Sequence, residues 1–129
     1  MTWQGDVVAL VGAFRSGEHS PVGEAEATLA AIEASDLNAF SFVDVEGVLE
    51  RAATVDISLP LGGVPVGVKE LHQVAGWPDT AASLLFAGRY ADHDLTMVSR
   101  LRAAGANLIG LTTASEFGGL NCSTTKLNG

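Results

Sequence analysis

Residues 59–70 read Leu-Pro-Leu-Gly-Gly-Val-Pro-Val-Gly-Val-Lys-Glu, and no other stretch restricts the fold as tightly. Val64, Val66 and Val68 alternate with Pro65, Gly67 and Lys69, which is the period of a strand with one apolar face. Pro60 and the Gly62-Gly63 pair mark a turn ahead of it. Pro65 has no amide hydrogen, so it belongs near the strand's start or on an edge. Gly67 leaves room for another backbone or a ligand to come close. Lys69 ends the apolar run at the carboxyl end of the strand, where open α/β sheets place their ligand crevices. On the strand alone, a lysine there is equally what a strand needs to reach water. A phosphate-loop reading fails. Gly62 and Gly67 have the right spacing, but Val68 separates Gly67 from Lys69, and Glu70 stands where Ser or Thr would hold magnesium.

Helical and extended periods arrange the rest around this strand. Apolar residues recur at helical spacing over 6–15 (Val7, Val8, Leu10, Val11, Phe14), with Gly17 as a stop. Ser20-Pro21 starts a second helix that runs to about Ala34, with Glu24 and Glu26 near its positive end. Residues 37–43 form a short extended segment, and Asp44 caps a third helix over 45–54. Residues 71–91 lack periodicity and hold Gly76, Pro78 and Gly88, so a long loop is expected there, of a length usually tied to function or mobility. A fourth helix over 95–104 is capped by Asp94 or Thr96 and places Arg100 and Arg102 at its negative end. Gly105 stops it, and the largely apolar 106–111 make a second strand suited to burial in a parallel sheet. Strand, loop, helix and strand from Val64 to Leu111 compose one βαβ unit, expected to be right-handed. Both strands then end on one edge, so Lys69 faces the same crevice as the turn Thr112-Thr113-Ala114-Ser115.

Other chemical candidates are weaker. Asp92-His93-Asp94 suggests a metal, yet His72 is no evident third ligand, and catalytic sites normally take three protein ligands. Helix capping explains that triplet better, and no metal is expected. Ser115 has neither a Gly-x-Ser-x-Gly elbow nor a histidine base nearby, so it reads as an N-cap or turn serine.

Residues 63–70, Gly-Val-Pro-Val-Gly-Val-Lys-Glu, resemble the lysine segment of the amidase signature family. The likeness continues through Val74-Ala75-Gly76, Thr80-Ala81-Ala82-Ser83, Arg102-Ala103-Ala104-Gly105-Ala106 and Thr113-Ala114-Ser115-Glu116-Phe117-Gly118, in the family's order. The last of these runs looks more like stand-alone acyl amidases than like the subunit that makes glutaminyl-tRNA. The resemblance implies that Lys69 is the catalytic lysine of a Ser–cis-Ser–Lys triad and that Ser115 and Phe117 line the substrate channel. In such an enzyme a neutral lysine takes a proton from the cis-serine, which takes one from the nucleophilic serine, and the amide is cleaved through an acyl-enzyme. A lysine can do this only where burial disfavours its ammonium form. No metal or organic cofactor is implied.

The Gly/Ser-rich segment that carries the family's two serines has no counterpart in the 129 residues. The expectation is therefore α/β architecture, with amino-terminal helices plus the first βαβ portion of an amidase-signature mixed sheet, incomplete. Residues 1–129 form the amino-terminal portion of a single amidase domain, with a helical scaffold over 1–58 and the lysine strand and βαβ unit over 59–129. The expected function is amidohydrolysis of a small-molecule linear amide, by a truncated fragment inactive alone. The alternative is a non-catalytic split half or interaction module whose sheet is completed by self-association or by a partner chain. A hydrophobic content of 47% with 17% charged residues fits a folded chain. The net charge of −8, with no Lys/Arg cluster, argues against nucleic acid or anionic membrane as a partner. A single cysteine, Cys122, precludes an intrachain disulfide, and the sequence begins without a basic leader or a spanning apolar run, so a cytoplasmic protein is expected.

Overall fold

The computed structural model describes residues 2–129. Helix α1 (Val7–Ser16) starts where Asp6 accepts a hydrogen bond from the Ala9 N–H at 2.8 Å. It stops at Gly17, whose φ of 77° lets its N–H reach back to the Phe14 carbonyl. Helix α2 (Pro21–Glu33) is capped by Ser20, which accepts from the Gly23 N–H at 3.0 Å, with proline in its first turn as anticipated. Strand β1 (Phe40–Val43) leads into helix α3 (Val45–Thr54). Asp44 occupies the cap position of α3 without making the cap bond: its carboxylate pairs with Arg51 at 2.9 Å instead. The arginine's other donors hold the Asn107 side chain and the Leu108 carbonyl, so the charged pair is more useful there than a cap.

Strand β2 (Pro65–Lys69) begins on its proline, the position where a missing donor is tolerated. Helix α4 (Thr96–Ala103) and strand β3 (Asn107–Thr112) follow. The Asp94 carboxylate accepts from the Ala75 N–H at 2.8 Å, tying the preceding loop to the start of α4. The sheet order is β1-β3-β2, and β1 runs antiparallel to β3 with a register irregularity between Phe40 and Phe42. Asn107 donates to the Val64 carbonyl and Glu70 donates to the Thr112 carbonyl, so positions rise together along β2 and β3 and these two strands are parallel. The βαβ unit and the mixed α/β class are thus both present.

The chain divides into two compact units. The first comprises residues through Asp36, Asp44–Val66 and Leu101–Ile109. Leu10, Val11, Phe14 and Val64 form its core, with Trp3, Ile57, Leu61 and Val66 packed against them. Glu24 is buried there and accepts from the Trp3 N–H and from His19, whose ring lies between those of Trp3 and Phe14. The second unit comprises Leu37–Val43, Gly67–Arg100 and Gly110–Gly129. Val68, Val74, Trp77, Val98, Leu111 and Ala114 are buried in it, and Phe42 tilts onto Trp77 with ring centroids 5.2 Å apart.

The long loop between β2 and α4 has a single 3₁₀ turn, Leu84–Phe86. It is nonetheless closed on itself, because Gly76 donates to Ala91, Ala91 donates to Trp77 and Asp79 donates to Arg89. Arg89 adds an ion pair to Asp79 at 3.0 Å and lies 4.2 Å over the Phe86 ring. Aperiodic sequence conceals such a loop because its bonds run between backbone groups that carry no side-chain signature.

Candidate functional site

Every residue of the candidate site lies in the second unit. Strand alternation sorts the end of β2 by face. Val68 and Glu70 are buried, whereas Gly67 and Lys69 are exposed. Gly67 leaves its space to two neighbouring side chains: a Cβ added there would stand 2.9 Å from the Thr112 methyl carbon and 3.4 Å from the Phe40 ring. Lys69 projects from the same face, and its ammonium has no hydrogen-bond or ion-pair partner among the described residues.

The turn after β3 comes to β2 through Glu70. Its backbone N–H donates to the Thr112 carbonyl at 3.0 Å, and its carboxylate accepts from the Ala114 N–H at 2.7 Å. The Asn128 side-chain amide lies 3.0 Å from each carboxylate oxygen. With 3% of its surface exposed, Glu70 is among the most buried charged residues of the chain. The carboxyl ends of β2 and β3 therefore lie on one edge as expected, and the residue that joins them is the lysine's own neighbour. Sequence reasoning weighed Glu70 only as an unsuitable magnesium ligand. The available signal was its phase: Glu70 continues the Val66-Val68 face of the strand, so a carboxylate was due to point into the core and to need donors there.

Ser115 is buried, and its hydroxyl is committed locally. It donates to the Leu120 carbonyl at 2.6 Å and accepts from the Leu120 N–H at 3.1 Å. It stands at the cap position of the 3₁₀ turn Glu116–Gly118 but makes no side-chain cap bond, so it is a turn serine and not a cap. Phe117 is exposed, with φ of 55°, the left-handed region an aromatic residue seldom adopts. Its N–H donates to the Ala81 carbonyl at 2.9 Å, and its ring meets Phe86 edge-on at 5.9 Å. Ala81 and Ala82 are also left-handed, with φ of 50° and 58°. Buried Ser83 donates to the Glu116 carboxylate at 2.6 Å, a second link between the same two loops. Three strained non-glycine residues thus sit on two loops that hold each other, a clustering more frequent at functional sites than elsewhere. The alanines gave no warning, since left-handed backbone is usually signalled by Gly or Asn.

A parallel pair of strands, with an exposed lysine at the end of one and a constrained turn after the other, belongs to the mixed α/β class. The amidase family model matches residues 25–127, and the chain belongs to the amidase signature family. Among curated relatives, the A-type subunit of the glutamyl-tRNA(Gln) amidotransferase of Salinispora arenicola (strain CNS-205) is 41% identical over 117 residues, covering 84% of this chain and 24% of that protein. Its counterpart in Methylacidiphilum infernorum (isolate V4) is 40% identical over 102 residues, covering 78% of this chain and 21% of that protein. Among solved structures, 6-aminohexanoate cyclic dimer hydrolase complexed with substrate superposes with a TM-score of 0.88 at 28% identity, over 97% of this chain and 27% of that one. Native peptide amidase from Stenotrophomonas maltophilia gives 0.84 at 27% identity, over 98% and 29%. The chain spans about a quarter of the length of the curated relatives it matches.

Proposed function

We propose that Lys69 is the catalytic lysine of an amidohydrolase that cleaves the C–N bond of a small linear amide, and that this sequence contributes the lysine strand and part of the substrate channel. The observation that carries the reading is the placement of Lys69 within the matched region, on the open face at the end of β2, beside the turn held by Glu70. The nucleophilic serine and the cis-serine come from a Gly/Ser-rich segment outside these 129 residues. That segment covers Lys69 and supplies the desolvation that makes its amine a base. Ser115 orders the turn from within, and the exposed Phe117 lines the approach to the scissile bond. The relatives' names (amidotransferase, peptide amidase, cyclic dimer hydrolase) share amide chemistry and differ in the groups attached to it.

The test is turnover of simple amides by an enzyme in which this sequence is completed by the serine-bearing segment. Lys69→Ala should cut kcat by orders of magnitude with folding retained, as expected when one member of a catalytic unit is removed. Loss of activity matched by loss of folding would make Lys69 structural. The exposure of Lys69 also favours a second reading, in which a partner polypeptide provides the cover. Co-purification of a second chain bearing both serines would support it, and activity from a single polypeptide would overturn it.

A further inference from the structure

Glu70 is a buried carboxylate whose side-chain hydrogen-bond donors are both neutral amides, the Ala114 N–H and the Asn128 side chain. Burying a carboxylate is expensive unless its acceptors are used, and a nonpolar residue at this strand position would avoid the cost altogether. We propose that Glu70 is a positioning residue for the amidase reaction, setting the spacing between Lys69 and the turn that bears Ser115 and Phe117. The proposal rests on the reading of Lys69 given above.

The geometry is direct. Lys69 and Glu70 are consecutive, so their side chains leave opposite faces of one strand end. The face occupied by Glu70 is the buried one, and its two bonds to the 112–114 segment, one from the backbone and one to the carboxylate, fix that segment against the strand. The Ala114 N–H precedes Ser115 by one residue and Phe117 by three, and Phe117 is fastened on its other side to Ala81. Releasing Ala114 would remove the bond nearest Ser115 and leave the segment held by the Glu70 N–H to Thr112, the Thr113 N–H to Ala39 and the Ala81 and Ser83 bonds, looser relative to Lys69. Displacement of reacting groups by about 1 Å can cost about 10²-fold in rate.

Two measurements test this. In the enzyme completed by the serine-bearing segment, backbone amide exchange should show Ala114 protected, and Glu70→Ala should speed its exchange at least about tenfold while Leu108 and Leu111 stay protected; Glu70→Gln, which retains an acceptor oxygen, should keep Ala114 slow. In the completed enzyme, Glu70→Ala should lower kcat about 10- to 100-fold with KM little changed, and Glu70→Gln should restore most of the loss. Asn128→Leu, which frees the carboxylate from its other partner without touching β2, should give a smaller loss of the same kind and serves if Glu70→Ala does not fold. Unchanged Ala114 exchange, or unchanged kcat in Glu70→Ala, would overturn the proposal. Equal losses in Glu70→Ala and Glu70→Gln would overturn it too, since the charge beside Lys69 would then matter and the geometry would not. Full turnover in Lys69→Ala is a separate outcome. It would remove the reading of Lys69 and with it the role of Glu70 in the reaction, while the exchange result would still report on the carboxylate bond itself.

Discussion

Ser115 spends its hydroxyl proton and one of its two lone pairs on the backbone groups of Leu120, which holds it within the turn. Ser115→Ala should therefore lower stability by about 0.5–1.5 kcal/mol, the usual net value of such bonds, and reduce turnover far less than Lys69→Ala. Chemical denaturation of the variant beside steady-state kinetics checks both; a loss of rate as deep as that of Lys69→Ala would make Ser115 a catalytic candidate. At this scale the sequence was legible wherever a residue's neighbours repeat a period. Lys69 on the open face, Pro65 at the strand start and Gly17 as a helix stop all follow from spacing and side-chain type. Glu70, Asn128 and the left-handed Ala81-Ala82 pair did not stand out, because their roles depend on partners 44 or 58 residues away or on backbone angles that alanine does not advertise.

The strands and helices answer to simpler rules. Gly67 stands against Thr112 and Phe40, so Gly67→Ala should press a methyl into the Thr112 side chain, at 2.9 Å before relaxation. The expected cost is about 1–3 kcal/mol, as for other overpacked sites, read as a lower urea midpoint with the slope unchanged. A neutral or stabilising effect would mean that β1 and β3 can shift to admit the methyl. The glycine's need for space was evident from sequence, but its occupants were expected to be a backbone or a ligand and are in fact two side chains. Asp44 illustrates the opposite limit: a helix-start position was read correctly, yet a long-range arginine outcompeted the local cap bond. Local patterns fix where an element begins; they do not reveal which distant group claims its side chains.

For the whole molecule, the sheet has β1 and β2 at its edges. The second unit also exposes Leu84, Leu85, Phe117 and Leu120. Unpaired edges template further strands, and grouped apolar surface favours association. The 129-residue chain by itself should thus self-associate or aggregate despite its charge of −8, and it should show no amidase activity, since a lysine alone supplies neither nucleophile nor oxyanion stabilisation. Light scattering, a thermal melt and an amide-hydrolysis assay test these points together. A monomer with a reversible melt well above about 50 °C, or turnover abolished by Lys69→Ala, would overturn them.

The division into two units has a temporal consequence. Each is assembled from three separated stretches, and each takes its last stretch from beyond residue 100. During synthesis the first unit's core cluster, from Leu10 to Val66, emerges early, but neither unit is complete until β3 has left the ribosome. Loop closure over such separations slows folding and lengthens exposure to chaperones and proteases. Release of the nascent chain just before Asn107 should yield a more protease-sensitive polypeptide than release after Gly129, which includes β3 and the Leu120 and Asn128 partners of Ser115 and Glu70. The step between them dates the moment at which this chain acquires a structure.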